Sequence, residues 1–277
     1  MPIRVFALVL FAATLHASWN AIVKGAGDKL LTTVLVTASA SILAAGTLPW
    51  LHQPDPASWL FIAASAVLQV IYFILVARIY QVADMSQTYP LMRGTAPLLV
   101  AIVSASALGA SLSVLMWIGV AVICTGILSM AVRIRAGDRR GVLLAFLNAV
   151  VIAGYTLIDG IGVRRSGAPA AYTLWIFLVA GLPLAAWAIG ARRNSVLQYA
   201  RRNWHLGIIG GVGTLASYGL ALWAMTVAPI AVVAALRETS ILFGTIISGL
   251  VLKEHVGFSR AAAACVIALG AAVLRLA

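Results

Sequence analysis

The sequence predicts an all-helical membrane protein with ten transmembrane helices. Hydrophobic residues make up 63% of the 277 residues and charged residues only 9%, so too few polar side chains remain to cover a water-soluble domain. The apolar residues fall into ten stretches of roughly twenty residues, each long enough to cross a bilayer as a helix. Because lipid offers no hydrogen-bond partners, stretches of this length form helices rather than the short strands of a barrel.

Short polar connections separate the ten expected spans, and the longest of these connections, residues 191–203, is too short to fold alone. The protein therefore carries no separate soluble domain that could perform chemistry. The expected spans cover residues 3–24, 31–50, 58–81, 86–108, 112–132, 141–162, 169–190, 204–226, 229–252 and 258–276.

The net charge of +12 comes from basic residues that cluster beside the ends of the expected spans. No aromatic residues alternate with these arginines, as a surface that stacks nucleic-acid bases would require, so we expect no nucleic-acid partner. Membrane orientation and contact with anionic lipid account for the clusters. Most basic residues lie on the side opposite the termini, and the positive-inside rule then predicts that both termini lie outside. We expect the chain to be a multi-pass protein of the cell (inner) membrane. The two largest clusters are Arg133, Arg135, Arg139 and Arg140, and Arg192, Arg193, Arg201 and Arg202.

The sequence shows none of the usual signals of catalysis. The two cysteines, Cys124 and Cys265, lie within apolar spans and are interpreted as small hydrophobic residues. Metal-binding, redox and nucleotide-binding motifs are absent, as is any Ser–His–Asp or paired-carboxylate spacing within the spans. We therefore expect no enzyme activity, no catalytic residue, no metal and no cofactor.

An internal repeat relates the two halves of the chain. At an offset of 144 residues Arg93 pairs with Arg237, and with one further gap Trp59 pairs with Trp204. This register predicts a duplication, with residues 1–135 and 136–277 each holding five spans. Because five is odd, the second copy enters the membrane from the opposite side, and such inverted repeats are typical of secondary transporters.

The chain resembles the EamA group of the drug/metabolite transporter superfamily. The resemblance lies in His16-Ala17-Ser18-Trp19-Asn20, the proline-containing fourth span, Leu252-Lys253-Glu254 and the five-plus-five arrangement. It implies a ten-helix secondary carrier of small organic solutes. The chain departs from the family pattern where Gly109-Ala110 stand in place of Lys253-Glu254, so the acid that closes the fourth span is missing from the first copy.

Few charged residues fall deep inside the expected spans, and such residues are functional candidates by default because their burial is costly. Arg93 and Arg237 lie at similar depth in the two halves, and Glu238 is the acid available in either span. Two arginines against one glutamate leave a positive centre, and the guanidinium fork suits a carboxylate or phosphoryl group. The alternative is that the arginines are structural clamps. Asp159, close to a span end, is expected to reach the interface.

Polar and aromatic residues within the spans predict the wall of a binding cavity. For each aromatic residue core packing is the alternative, and His16 is either a proton relay or a satisfied core histidine. The predicted wall residues are His16, Trp19, Asn20, Gln69, Tyr72, Tyr89, Tyr155, Ser217 and Tyr218.

The sequence therefore favours a secondary transporter for a small anion, such as an organophosphonate, a phosphorylated metabolite or a carboxylate. The alternative is an exporter of neutral or aromatic amino acids or drug-like metabolites, and a more distant one is a non-transporting membrane subunit or an intramembrane enzyme. The expected partners are the solute and the lipid bilayer. A coupling proton or counter-solute and a homodimer are left open.

Overall fold

A computed structural model describes residues 1–131, 139–253 and 255–277 of the chain. These residues form α-helices joined by short 3-10 segments and turns, with no strand among them, so the all-helical prediction is confirmed for them. The predicted boundary between the two halves, at residues 135 and 136, lies outside the described residues, as do Arg133, Arg135 and Glu254. The helices are α1 (Ile3–Gly25), α2 (Lys29–Thr47), α3 (Trp59–Val82), α4 (Met85–Ser106), α5 (Val114–Leu128), α6 (Arg139–Ser166), α7 (Pro169–Val227), α8 (Ile230–Arg237), α9 (Ser240–Leu250) and α10 (Phe258–Leu276).

Within the described residues, eight helices are long and apolar enough to cross a membrane, so the predicted count of ten is not confirmed. The eight do not include α4, whose first half carries polar residues and Arg93, although its 22 residues match the bilayer in length. Among the eight, α7 is counted once, although the sequence predicts two spans there, and α8 and α9 are counted together as Ile230–Leu250.

Helix α7 is a hairpin rather than one straight rod. A straight helix of its 59 residues would be about 90 Å long, roughly three times the hydrocarbon thickness. The backbone leaves helical geometry at Arg192 and Asn203, and this divides α7 into a first arm (residues 169–191) and a second arm (residues 204–227). The ring of Phe177 on the first arm lies 5.9 Å from that of Tyr218 on the second. The two arms therefore pack side by side, and each arm corresponds to one of the two predicted spans.

Connections gather at the two ends of the bundle. At the end that holds the termini, Arg275 donates to the carbonyl of Met1 over 3.0 Å, and the amide of Asp55 donates to the carbonyl of Ser166 over 2.9 Å. At the opposite end, Lys24 Nζ donates to Ser248 Oγ over 3.3 Å. When the two arms of α7 are taken separately and α8 and α9 together, successive helices thus run in opposite directions, as short connections between spans require.

The interior is built around α8, in which every residue from Ile230 to Leu236 is buried. Close contacts between helices use glycine, since small residues let backbones approach where lipid supplies no hydrophobic drive. Gly119 of α5 faces Gly270 of α10 in this way. Large apolar side chains such as Val114 and Leu250 are exposed on the outside, the surface that a bilayer covers.

Candidate functional site

A buried ion pair joins α4 to the turn after α8. Arg93 Nε lies 2.8 Å from Glu238 Oε2, and the two residues are only 8% and 5% exposed. Pro90 and Pro97 lie inside α4 on either side of Arg93, and each removes one backbone hydrogen bond from that helix. In the sequence, Glu238 is the acid available to the two arginines, and in the structure it pairs with Arg93. The glutamate neutralises one of the two arginines.

Arg237 stands in a different environment at the last residue of α8. Its guanidinium Cζ lies 4.8 Å from the centre of the Tyr218 ring, the geometry of a cation–π contact. In the described part of the chain, no carboxylate comes within the 4.0 Å of an ion pair with it. The helix breaks directly after it, at Glu238 and Thr239, before α9 begins at Ser240. Arg237 therefore presents a positive charge that protein carboxylates do not directly pair.

Both arginines line a cavity between the helices at the centre of the bundle. Its other lining residues are Ala96, Pro97, Val100, Ile152, Tyr155, Thr156, Ala234 and Glu238. The space open to the centre of a water molecule is about 10 Å³, roughly what a single water needs. The helices are thus closed around the charges, and an organic solute would require them to move apart.

Three of the predicted aromatic wall residues meet at this cavity or beside it. Tyr155 lines it, and the ring of Tyr72 lies 6.1 Å from that of Tyr155. Tyr218 stands under Arg237. These contacts bring together residues of α3, α6 and the second arm of α7 that the sequence placed on separate helices.

The predicted residues of α1 form a group of their own. The rings of His16 and Trp19 make an edge contact at 5.3 Å, and the buried Trp19 indole Nε1 has no hydrogen-bond partner among the described residues. Asn20 is exposed, and its amide donates to the carbonyl of His16 one turn earlier. None of the three lines the cavity described above.

The remaining predicted wall residues also lie away from the cavity lining. Gln69 donates to Ser65 Oγ within α3 over 3.1 Å. Tyr89 packs against a core cluster that includes Ile79 and Leu91. Ser217 is buried on the second arm of α7.

The prediction for Asp159 is wrong, because the residue is fully buried rather than at the interface. Helix α6 continues to Ser166, so Asp159 lies about two turns inside it. Its Oδ1 accepts from Tyr172 Oη at 3.2 Å and its Oδ2 from Tyr218 Oη at 2.5 Å. The centre thus contains a second acid that the count of two arginines against one glutamate omitted. The sequence would have indicated the burial of Asp159 only if the end of α6 had been predicted at Ser166 instead of residue 162.

Arg164 is a further residue that sequence reasoning missed. Its Nε donates to the carbonyl of Met225 over 2.7 Å and its Nη2 to that of Ala228 over 2.8 Å. Those two carbonyls lie at the end of α7 and the start of the turn into α8, where the helix leaves them without partners in the backbone. Arg164 therefore ties α6 to the connection that positions Arg237.

The described residues show no evident metal-binding site. Across residues 1–131, 139–253 and 255–277, no three side chains of His, Cys, Asp or Glu lie close enough together to hold a metal ion. The cavity instead offers guanidinium, carboxylate and phenol groups, which bind polar organic solutes through hydrogen bonds and charge.

The fold and this polar centre define a multi-pass membrane protein with a charged cavity between its helices. Residues 139–276 match the model of the EamA-like transporter family, and the chain belongs to that family. Members of this family are transporters. The match falls on the second predicted half, which contains Asp159, Tyr218, Arg237 and Glu238.

A solved protein crystal structure has the same fold over the whole chain. The structural alignment covers 100% of this chain and 98% of the solved chain, with a TM-score of 0.74 and 18% sequence identity. No curated protein matches the chain. At 18% identity the structural likeness shows the fold alone.

Proposed function

We propose that the protein is a secondary transporter of the cell membrane that moves a small organic anion by alternating access. In this proposal the chain crosses the membrane ten times, as two inverted five-helix halves at residues 1–135 and 136–277. The two arms of α7, the length of α4 and the alternation of connections between the two ends of the bundle support it. The arginine-rich connections face the cytoplasm and the termini face outward.

The observation that supports an anionic solute is that the two arginines have different partners. Arg93 is already paired with Glu238, whereas Arg237 contacts the face of Tyr218 and the cavity, and no carboxylate among the described residues pairs with it. A guanidinium holds five donors in a planar fork, and a carboxylate or phosphoryl group can take two of them at once. Away from bulk water such a charge-assisted contact is strong, so an entering anion would gain most at Arg237.

Closure around the arginines supports transport rather than static binding. The water-sized cavity cannot hold an organophosphonate or a phosphorylated metabolite with its lining residues in place. Inverted halves that rock about a central site open it to one side of the membrane and then to the other. The ion pair between Arg93 and Glu238 joins the two predicted halves at this point.

The test is uptake into proteoliposomes of radiolabelled methylphosphonate, glycerol phosphate and succinate, with phenylalanine as the neutral comparison. We expect saturable flux of at least one anion and a loss of at least about tenfold in kcat/KM in Arg237→Gln, equivalent to about 1.4 kcal/mol. Arg260→Gln, at an exposed arginine, is the matched control and should transport normally. Normal flux of every anion in both Arg237→Gln and Arg93→Gln would overturn the anionic proposal.

The second candidate function is export of neutral or aromatic amino acids. The buried indole Nε1 of Trp19, which no group in the described part of the chain accepts from, favours it, because a solute carboxylate or carbonyl could accept from that donor. Phenylalanine flux that survives Arg237→Gln and falls in Trp19→Phe would select this candidate. Turnover of a solute without its translocation would instead indicate an enzyme or a non-transporting subunit.

A further inference from the structure

We propose that Asp159 is the proton-binding site of this transporter, and that a proton on Asp159 and an anion at Arg237 bind together. The proposal rests on the proposed function for its anion. The proton site itself rests on the buried geometry around Asp159, and it can be tested without any solute.

The first argument is the balance of charge around the cavity. Arg93, Arg237, Glu238 and Asp159 provide two positive and two negative groups. Their sum is zero when both acids are ionised. An anion that enters then leaves an uncompensated negative charge away from water, which is costly. Uptake of one proton restores neutrality.

The second argument decides which acid takes that proton. Protonation of Glu238 would break its ion pair with Arg93 and leave a buried arginine without its partner. Asp159 has no cation within 4.0 Å in the described parts of the chain, and its direct partners are the hydroxyl groups of two tyrosines and Ser65. Asp159 can therefore take a proton without breaking an ion pair.

The third argument is that one side chain joins Asp159 to Arg237. The hydroxyl of Tyr218 donates to Asp159 Oδ2, and the face of the same ring lies 4.8 Å from the guanidinium of Arg237. When a proton is added to Oδ2, the new hydroxyl donates to Tyr218 Oη. The phenol proton of Tyr218 then turns toward another acceptor, for which an anion at Arg237 is suitably placed. No proton is lost from Tyr218 in this step, and Tyr172 continues to donate to Oδ1.

Several polar and charged groups surround Asp159 and belong to different helices. Helix α3 contributes Ser65, which hydrogen-bonds to the carboxyl, and the two arms of α7 contribute Tyr172 and Tyr218. Arg237 faces it from α8, and Tyr155 lies one turn away on α6 itself. From α4, Arg93 lines the cavity beyond Tyr155 and is held by Glu238.

His16 is the competing proton site. It lies on α1 against Trp19 and carries a titratable ring that acts on both arginines through its charge. A proton on His16 would also favour an anion. In the described structure, however, His16 makes no hydrogen bond to Tyr218 or Asp159, and it therefore lacks the link to Arg237 that Asp159 has through Tyr218.

The sign of the linkage follows from charge. A neutral Asp159 leaves the cavity more positive, so anions should bind more tightly as the pH falls. By reciprocity, anion binding should draw about one proton from solution. Asp159→Asn mimics the protonated group, because its amide can donate to Tyr218 and its oxygen can accept from Tyr172. This variant should bind anions tightly at every pH and take up no proton.

Infrared difference spectroscopy of the purified protein in lipid nanodiscs tests the proton site without a solute. As the pH is lowered, the exposed carboxyls give bands in every variant, and we expect the wild type to show one further protonated-carboxyl band that is missing in Asp159→Asn. A wild type without such a band, or the same band in Asp159→Asn, would overturn the assignment whatever the solute proves to be.

Calorimetric titration with succinate, whose carboxyl groups are ionised at neutral pH, in buffers of different ionisation enthalpy tests the linkage. We expect proton uptake of about one per anion in the wild type, in His16→Gln and in Tyr172→Phe, and none in Asp159→Asn, which still binds. Uptake that disappears in His16→Gln and persists in Asp159→Asn would overturn the proposal. If no anion binds to the wild type while the infrared band is present, the proposed anionic function and its linkage fail, and the proton site stands.

Discussion

Arg93 of α4 and Glu238 of the turn after α8 meet with 2.8 Å between Nε and Oε2. Each residue is buried, and each comes from a different predicted half of the chain. The contact therefore fixes how α4 and α8 lie against each other at the cavity. It also decides the roles of the two arginines, since Arg93 is satisfied within the protein and Arg237 is not paired with an acid among the described residues.

Removal of one partner of this pair should destabilise the protein strongly. We expect Glu238→Gln to lower the free energy of unfolding by about 3–5 kcal/mol, because it leaves the buried guanidinium of Arg93 without its counter-ion. The double variant Arg93→Met with Glu238→Leu should lie within about 1 kcal/mol of the wild type, since it removes both buried charges. Denaturant unfolding in detergent measures both. A double variant no more stable than Glu238→Gln would contradict this account.

The contact between α5 and α10 should tolerate no side chain at Gly270. A Cβ there would lie 2.8 Å from the backbone nitrogen of Ile123 and 3.0 Å from the carbonyl oxygen of Gly119, and backbone atoms cannot step aside as a flexible side chain can. We expect Gly270→Ala to cost about 1–3 kcal/mol of stability. Thermal unfolding in detergent measures the loss.

Gly244 in α9 is the matched control, because nothing lies within 4 Å of the position that its Cβ would occupy. Alanine is the better helix former by about 1 kcal/mol, so Gly244→Ala should leave the protein equally or more stable. Equal destabilisation by the two substitutions would show that close helix approach is not the cause.

Arg164 should hold the connection between α7 and α8 through the shape of its guanidinium as well as its charge. Arg164→Lys keeps the charge but cannot reach the carbonyls of Met225 and Ala228 with two separate donors. We expect faster hydrogen–deuterium exchange at the amides of Thr226, Val227, Ala228 and Ile230, and a loss of about 1 kcal/mol of stability. Arg165→Lys is the control, since Arg165 lies over the ring of Phe61 instead. Unchanged exchange in Arg164→Lys would exclude the clamp.

The orientation predicted by the basic residues can be checked with single cysteines. In a background with Cys124→Ala and Cys265→Ala, Arg201→Cys and His52→Cys place one thiol on each end of the bundle, both at exposed positions. We expect a membrane-impermeant maleimide to label His52→Cys in intact cells and Arg201→Cys only after the membrane is opened. The reverse labelling pattern would place the termini in the cytoplasm.

Much of the architecture could be predicted because length and composition constrain membrane helices tightly. The stretches around α1, α2, α3 and α5 are apolar and bounded by polar turns, and their ends fall within a few residues of those expected. The count of spans is harder to predict where a helix carries polar residues, as α4 does with Arg93, or continues through a connection, as α7 does beyond Arg192. In such places hydropathy alone does not mark where a crossing begins or ends.

The candidate site was only partly predictable. Arg93, Arg237 and Glu238 stand out in the sequence because charge is rare within apolar spans. Asp159 does not stand out, since its distance from the end of α6 depends on where that helix stops. The partners Tyr172 and Tyr218 lie on the two arms of α7, and no spacing along one helix relates them to Asp159.

The sequence alone determined that the chain is a helical membrane protein with ionisable groups inside its spans, because both properties depend on residue type and run length. Which acid neutralises which arginine became clear from the packing of the helices in three dimensions. Glu238 meets Arg93 of another helix, and Asp159 meets two phenols instead of a cation. These pairings depend on how separate helices pack across the bundle. The local sequence of one helix does not determine which residues of another helix lie beside it.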